Sequence, residues 1–217
     1  METRSLTIMF ADLAGYTSKT ARSTRTNFML LLDNYEKIVE PIFAEFYGTI
    51  VKKLGDGFLV AFESPTNAVL CGIKIQDSLF NYNKTISKKD RLNVRVAIST
   101  GEVQIRKNDV YGETVNIASR LEQIARPHDV YFTESVYLAM NKAEIPSRYF
   151  GAFLFKGIPR RVKVFKVLGK YSQILIKRKR RQEAIASGIK MLIATTIILL
   201  ILMAIGAYLY ITYYGLP

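Results

Sequence analysis

The spacing of apolar residues divides the chain into a series of short elements. Leu6, Ile8 and Phe10 take every second position between Ser5 and Asp12, as in a half-buried strand. From Thr24 to Phe46 the apolar positions Phe28, Leu32, Tyr35, Val39, Ile42 and Phe46 recur every three or four residues, which predicts a long amphipathic helix with Pro41 as the place for a bend. Two strand-like runs, Thr49 to Leu54 and Phe58 to Phe62, flank Gly55-Asp56-Gly57, and Asp-Gly is a strong hairpin signal. Pro65 to Phe80 reads as a second helix. Leu92, Val94, Val96 and Ile98 alternate as another strand, with Val103 and Ile105 continuing beyond Gly101. Gly112 to Ala125 reads as a helix whose apolar face carries Val115, Ala118, Leu121 and Ala125.

Up to Ile105 this order is βαββαβ, the split arrangement of a ferredoxin-like α+β sheet. Residues 130 to 167 add short strands and a helix. The pattern then changes completely. From Met191 to Pro217 the chain has no charged side chain, and its most apolar part, 191 to 211, has the ~20 residues that cross a hydrocarbon core of ~30 Å. Tyrosines at 208, 210, 213 and 214 sit near one end of it, where a membrane interface would lie. A single C-terminal transmembrane helix is therefore expected.

Charge sharpens that expectation. The 217 residues hold 31 Lys and Arg against 18 Asp and Glu, a net +13. Residues 1 to 155 carry only +2 of this, from 19 basic and 17 acidic side chains; residues 156 to 190 carry +11. The basic excess peaks at Lys177-Arg178-Lys179-Arg180-Arg181, just before the apolar stretch, which is where a positive-inside determinant belongs. It predicts a single-pass protein of the cell membrane with its soluble part in the cytoplasm, and a basic segment able to hold anionic lipid headgroups of the bilayer. Because the soluble part is nearly neutral, no nucleic-acid partner is expected. The expected layout is a soluble domain over 1–168, a basic juxtamembrane segment over 169–190, a transmembrane helix over 191–211 and a short extracytoplasmic tail over 212–217. One cysteine, Cys71, and one histidine, His128, exclude a disulfide framework and a His/Cys metal cluster, leaving carboxylates as the metal ligands on offer.

Asp12 closes the first strand and Asp56 sits in the hairpin turn. Each has an ordinary reading, as a helix or turn cap and as a plain Asp-Gly turn. In a βαββ sheet the first and middle strands can be neighbours, which would bring the two carboxylates to one edge. There they would repel unless cations lay between them, a need that Mg²⁺ or Mn²⁺ with a triphosphate meets. Asn116 and Arg120 are four apart and share a helix face, which is either a solvated face or an amide and guanidinium set for sugar and phosphate oxygens.

Five segments occur in order from Phe10 to Val167: FADLAGYTS, KKLGDGFLVAF, STGEV, NDVYGETVNIASRLE and FKGIPRRVKVFKV. In this order and spacing the chain resembles the class III nucleotidyl cyclases. The resemblance implies that Asp12 and Asp56 bind two Mg²⁺ or Mn²⁺ ions, and that the Gly15-Tyr16-Thr17 turn holds phosphates. It implies that Lys52 and Asp109 read adenine, the pair found in adenylyl cyclases where guanylyl cyclases carry Glu and a small residue. By the same likeness Asn116 orients the ribose, Arg120 stabilises the transition state and Lys156 contacts the terminal phosphates. His128 stands where the family often has glycine and reads as a surface turn residue; Arg106, in a short stretch after Gly101, lies outside the quoted motifs. In the family one protomer supplies the metal aspartates and the other the remaining groups, so a homodimer with ATP as substrate is implied. The competing readings are a guanylyl cyclase, or a catalytically silent nucleotide-binding dimerisation module.

Overall fold

The structure, a computed structural model, describes residues 2–15, 25–168, 188, 191–192, 195–197, 200, 203–210 and 215. It divides into two compact units, Met1–Gln173 and Ile174–Pro217.

The first unit runs β1 (Glu2–Leu13), α1 (Arg25–Glu45), β2 (Thr49–Leu54), β3 (Gly57–Phe62), α2 (Pro65–Tyr82), β4 (Val94–Arg106), β5 (Asp109–Tyr111), α3 (Glu113–Ile124), β6 (Val130–Thr133), α4 (Glu134–Ala139), β7 (Ser147–Leu154) and β8 (Arg161–Val167). The strands form one sheet in the order β2-β3-β1-β4-β6-β8-β7, with β5 paired to β4. The expected βαββαβ half is present, with β1 between β3 and β4. All pairings are antiparallel except β4 with β6.

The sheet is covered on both faces, which is why β1 and β3 are apolar in consecutive as well as alternate positions. On one face α1 lays Tyr35 and Phe43 against Phe58 of β3, with ring centroids 5.6 and 5.3 Å apart. Helix α2 starts at a Ser64 cap whose hydroxyl accepts from the Asn67 N–H, with a proline in the first turn. On the other face α3 buries Ile117, Ala118 and Leu121. That face is only partly covered, because beyond α3 the apolar side chains Phe10, Val51, Ile105 and Val115 are half-buried and Leu54 is exposed.

In the second unit the described residues 191–192, 195–197, 200 and 203–210 are helical. Leu192, Leu200, Met203 and Leu209 are exposed, and the hydroxyls of Thr195 and Thr196 donate back to the Leu192 carbonyl at 2.8 and 3.0 Å. Among the described residues no helix is long and apolar enough to cross a membrane. The basic run and much of the expected span lie outside the described residues.

Candidate active site

The charged residues gather around one sheet face. Along β1 the alternate residues Leu6, Ile8, Phe10 and Asp12 project to the same side, and Leu6 and Ile8 pack there with Leu59, Ala61 and Ala118. Asp12 ends that row. It lies opposite Gly57 in the β1–β3 register, so the Gly55-Asp56 turn abuts the end of β1, and the Leu13 N–H donates to the Asp56 carbonyl at 3.3 Å. A side chain at position 57 would put its Cβ 3.0 Å from Asp12 Oδ1; glycine is what permits the close approach. The two carboxylates feel each other, since burial and the Asp12 charge push the Asp56 pKa up to about 6.

Two residues that the sequence reading did not single out complete this end. Arg95 of β4 is directly across from Asp12, and its Nη2 donates to Asp12 Oδ2. Its Nε faces Glu122 Oε1 of α3 at 2.9 Å. Burial and the Asp12 charge hold the Glu122 carboxyl above the ordinary range, and burial with the same two aspartates raises the Tyr35 hydroxyl, which donates to the Ala11 carbonyl at 3.1 Å. Asp12 and Glu122 thus share one guanidinium, and the Asp56 carboxyl feels the Asp12 charge beside it. That excess of negative charge suits a divalent cation, and Arg95 occupies Asp12 as a cation would. Among the described residues no group of three or more His, Cys, Asp or Glu side chains is arranged as a ligand set; Asp12 and Asp56 would supply the protein carboxylates, with other oxygens coming from backbone and triphosphate.

A second pair lies farther along the same face. Lys52 is registered opposite Leu59, whose side chain belongs to the α3-covered face. Asp109 follows the β4–β5 turn, where Lys107 and Asn108 take φ of +49° and +61° as both central residues of a type I′ turn do. Lys52 Nζ donates to Asp109 Oδ2 at 2.7 Å, and the Val110 N–H donates to Asp109 Oδ1 at 2.8 Å. The Lys52 ammonium is the main reason that the Asp109 carboxyl lies below its usual range.

Asn116 is exposed and Arg120 half-buried on α3. Glu122, which reaches toward Asp12, is about 160° around the helix from Arg120 and about 120° from Asn116. The Asn116–Arg120 face therefore turns away from the Asp12 of its own chain. Lys156 is exposed in the turn before Gly157. Gly15 closes the described part of the β1 turn at φ +79°, and Tyr16 and Thr17 lie outside the described residues. Arg106 ends β4 opposite Asp109. His128 is an exposed turn residue at φ +69° whose N–H donates to the Val94 carbonyl at 3.1 Å. The structure thus brings together Asp12 with Asp56, and Lys52 with Asp109, but leaves Asn116, Arg120 and Lys156 apart from the aspartates.

Residues 1–169 match the family described as "Adenylate and Guanylate cyclase catalytic domain". The chain belongs to this family. Its cyclase domain is 37% identical over 163 residues to a serine/threonine-protein kinase of Myxococcus xanthus, covering 75% of this chain and 20% of that protein. It is 32% identical over 137 residues to an adenylate cyclase of Streptomyces coelicolor, covering 63% of this chain and 34% of that one. The chain thus spans a fifth to about a third of the length of these curated relatives. Among solved structures, the adenylate/guanylate cyclase/hydrolase from Silicibacter pomeroyi has a TM-score of 0.70 and 28% identity, covering 77% of this chain and 98% of that chain. The adenylyl cyclase CyaB from P. aeruginosa also gives 0.70, at 26% identity, covering 77% and 96%. The cyclase domain of this family binds a nucleotide and dimerises, and its members generally use Mg²⁺ or Mn²⁺.

Proposed function

We propose that the chain is an adenylyl cyclase, converting ATP to 3′,5′-cyclic AMP and pyrophosphate at two composite sites of a homodimer. The observation that carries the substrate is the Lys52–Asp109 pair at 2.7 Å on the partly open face. Adenine presents an amino donor beside a ring-nitrogen acceptor; a lysine that only donates and an aspartate kept ionised, which only accepts, match that pattern. Guanine presents the reverse polarity at the same edge. The homodimer is supported by the outward turn of Asn116 and Arg120, which a second copy would meet across the half-covered face.

Asp12 and Asp56 would hold two Mg²⁺ or Mn²⁺ ions per site. When bound, these supply charge stabilisation for the entering and departing oxygens of phosphoryl transfer. Arg120 donates to the α-phosphate oxygens as charge gathers on them, which is worth most in a partly desolvated site. Asn116 fixes the ribose so that its 3′-oxygen stands in line with the phosphorus. Lys156 and the turn at Gly15, with Tyr16 and Thr17, take the remaining phosphates.

The reading extends to location. Residues 191–211 form a single membrane span, and 169–190 lie against the cytoplasmic leaflet, with 1–168 in the cytoplasm. Its support is the uncharged apolar stretch, the +11 segment before it and the exposed apolar helix residues. The test of function is to incubate the purified chain with ATP or GTP and Mn²⁺ or Mg²⁺ and quantify both cyclic nucleotides. Cyclic AMP at least ~10-fold above cyclic GMP is expected; cyclic GMP in excess, or no product from either, overturns the assignment.

A further inference from the structure

Charge is spread unevenly within the cyclase domain as well. Residues 80–91, FNYNKTISKKDR, hold Lys84, Lys88, Lys89 and Arg91 against Asp90 alone, a net +3, while the rest of residues 1–155 has 15 basic and 16 acidic side chains. This segment finishes α2 and leads toward β4. Its base is pinned: Asn83 Nδ2 donates to the Leu92 carbonyl and the Leu92 N–H donates to Asn83 Oδ1, both at 2.8 Å. The one acid is engaged locally, since Ser87 Oγ donates to Asp90 Oδ2 at 2.6 Å. Lys84, Lys88 and Lys89 are exposed, and Lys84 Nζ stands 4.2 Å from the ring centroid of Phe80, itself exposed. An exposed aromatic ring beside ammonium groups suits a membrane interface, where the ring enters the headgroup boundary and the cations meet anionic lipid.

The loop also stands at the end of the sheet from which the chain heads for the apolar stretch. Gln76, one turn before Phe80, donates from Nε2 to the Val94 and Asp129 carbonyls at 2.9 and 3.1 Å, so α2 finishes where β4 and β6 begin. β8 finishes at the same end, with Lys166 opposite Tyr131 and the Leu168 N–H donating to the Pro146 carbonyl at 3.1 Å. Only β6 separates β4 from β8, a distance of ~10 Å. The loop hangs on the side of the sheet where α2 packs on Val96 and Val130, and Asp12 projects to the other side, so lipid phosphates and the metal-end carboxylates are not forced together.

We propose that residues 80–91 form a second membrane contact: Phe80 enters the interface of an anionic bilayer, and Lys84, Lys88 and Lys89 hold its headgroups. The proposal rests on the membrane span at 191–211. The 22 residues 169–190 set only an upper distance between domain and bilayer, ~70 Å; a docked loop also sets which end of the domain faces the lipid. Each basic side chain close to an anionic leaflet favours contact about fivefold, so the three lysines together supply ~100-fold.

The sequence holds no tryptophan, so Phe80→Trp creates a single fluorescent reporter at the contact. The full chain is placed in nanodiscs of phosphatidylcholine alone or with about 30% phosphatidylserine, with ordinary or brominated acyl chains. In anionic discs the emission is expected to shift to the blue and to be quenched by bromine; in neutral discs it should match that in detergent micelles. Adding Lys84→Gln, Lys88→Gln and Lys89→Gln should weaken docking ~100-fold and return the emission to its neutral-disc value. Emission independent of lipid charge, or untouched by the three lysine changes, overturns the proposal. So does a shift that follows the number of chains per disc, which makes the segment a protein contact. A wash in about 1 M salt, where the Debye length is ~3 Å, separates this idea from the span beneath it. A chain released from the discs has no span and both fall, whereas a retained chain with an unresponsive reporter loses only the loop contact. If circular dichroism shows that Phe80→Trp does not fold, trypsin cleavage of the wild type after Lys88 and Lys89 decides: protection in anionic over neutral discs supports the contact, and equal cleavage overturns it.

Discussion

The two charged ends of the open sheet face are built on opposite electrostatic terms. At the metal end, Asp12 and Glu122 share a single guanidinium with Asp56 close to Asp12, and burial and mutual repulsion hold Asp56 and Glu122 above their ordinary pKa range. At the base-reading end Lys52 and Asp109 pair one to one, and the aspartate is held below its range. The first end is short of positive charge in the isolated chain and so is set up for cations; the second is already neutral and so is set up for a neutral base. What differs is stoichiometry, since the residue types are nearly the same.

That contrast is broken most severely by removing a metal-end carboxylate. Asp12→Ala or Asp56→Ala should lower cyclase kcat by ~10³ or more, and Asp56→Ala should do so with no loss of melting temperature in metal-free buffer, because it relieves the repulsion from Asp12. Retained activity in steady-state assays would falsify the metal assignment. A smaller effect is expected at the other end. Lys52→Glu combined with Asp109→Cys should shift the ratio of kcat/KM for ATP over GTP by about 10² toward GTP; an unchanged ratio would mean that the pair does not read the base.

The two ends should also respond to pH with opposite sign. Asp56 has a folded pKa of about 6, above its unfolded value, so between pH ~4 and ~6 the folded chain holds the extra proton. Metal-free stability contributed by this group is therefore lost as pH rises through that window, by no more than about 1 kcal/mol after solvent screening. Asp109 behaves conversely, because its lowered pKa gives stability present above the unfolded value and lost as pH falls through the folded one. Melting temperatures of Asp56→Asn and Asp109→Asn across pH 3 to 7 check both slopes; slopes of the same sign would erase the contrast. The smallest effect is that of Lys52→Met, an exposed ion-pair deletion that should cost less than about 1 kcal/mol in denaturant unfolding.

Much of this was legible along the chain, because alternation and turn chemistry are local. The β1, β2 and β3 strands, the Asp-Gly hairpin and the meeting of Asp12 with Asp56 all follow from residues within a few positions of each other, once β1 pairs with β3. β4 was read through Gly101 to Ile105, and the structure runs it from Val94 to Arg106. It runs unbroken through Gly101, where the apolar alternation lapses, because Thr114 Oγ1 stands 2.6 Å from where a Cβ would be and α3 packs directly over the glycine. Ile117 was missed on the buried face of α3, which meets the sheet on a wider arc than the spacing of apolar residues showed. Arg95 and Glu122 were invisible for a different reason. Arg95 occupies an ordinary outward position in an alternating strand, and only the β1–β4 register puts it across from Asp12, 83 residues away. An arginine among valines in a strand destined for the sheet centre was the available signal. The resemblance supplied Lys52 and Asp109 as a pair, and the structure places the two in contact within one chain.

The central claim is that each site draws its aspartates from one chain and its Asn116 and Arg120 from another, and one measurement addresses it directly. Inactive Asp12→Ala and inactive Arg120→Ala chains are mixed in equal amounts, allowed to exchange subunits, and assayed for cyclic AMP from ATP. Half of the dimers would then be mixed, each with one intact site of two, so activity should recover to about a quarter of wild type. A mixture that stays as inactive as its components, while crosslinking confirms mixed dimers, would contradict the account.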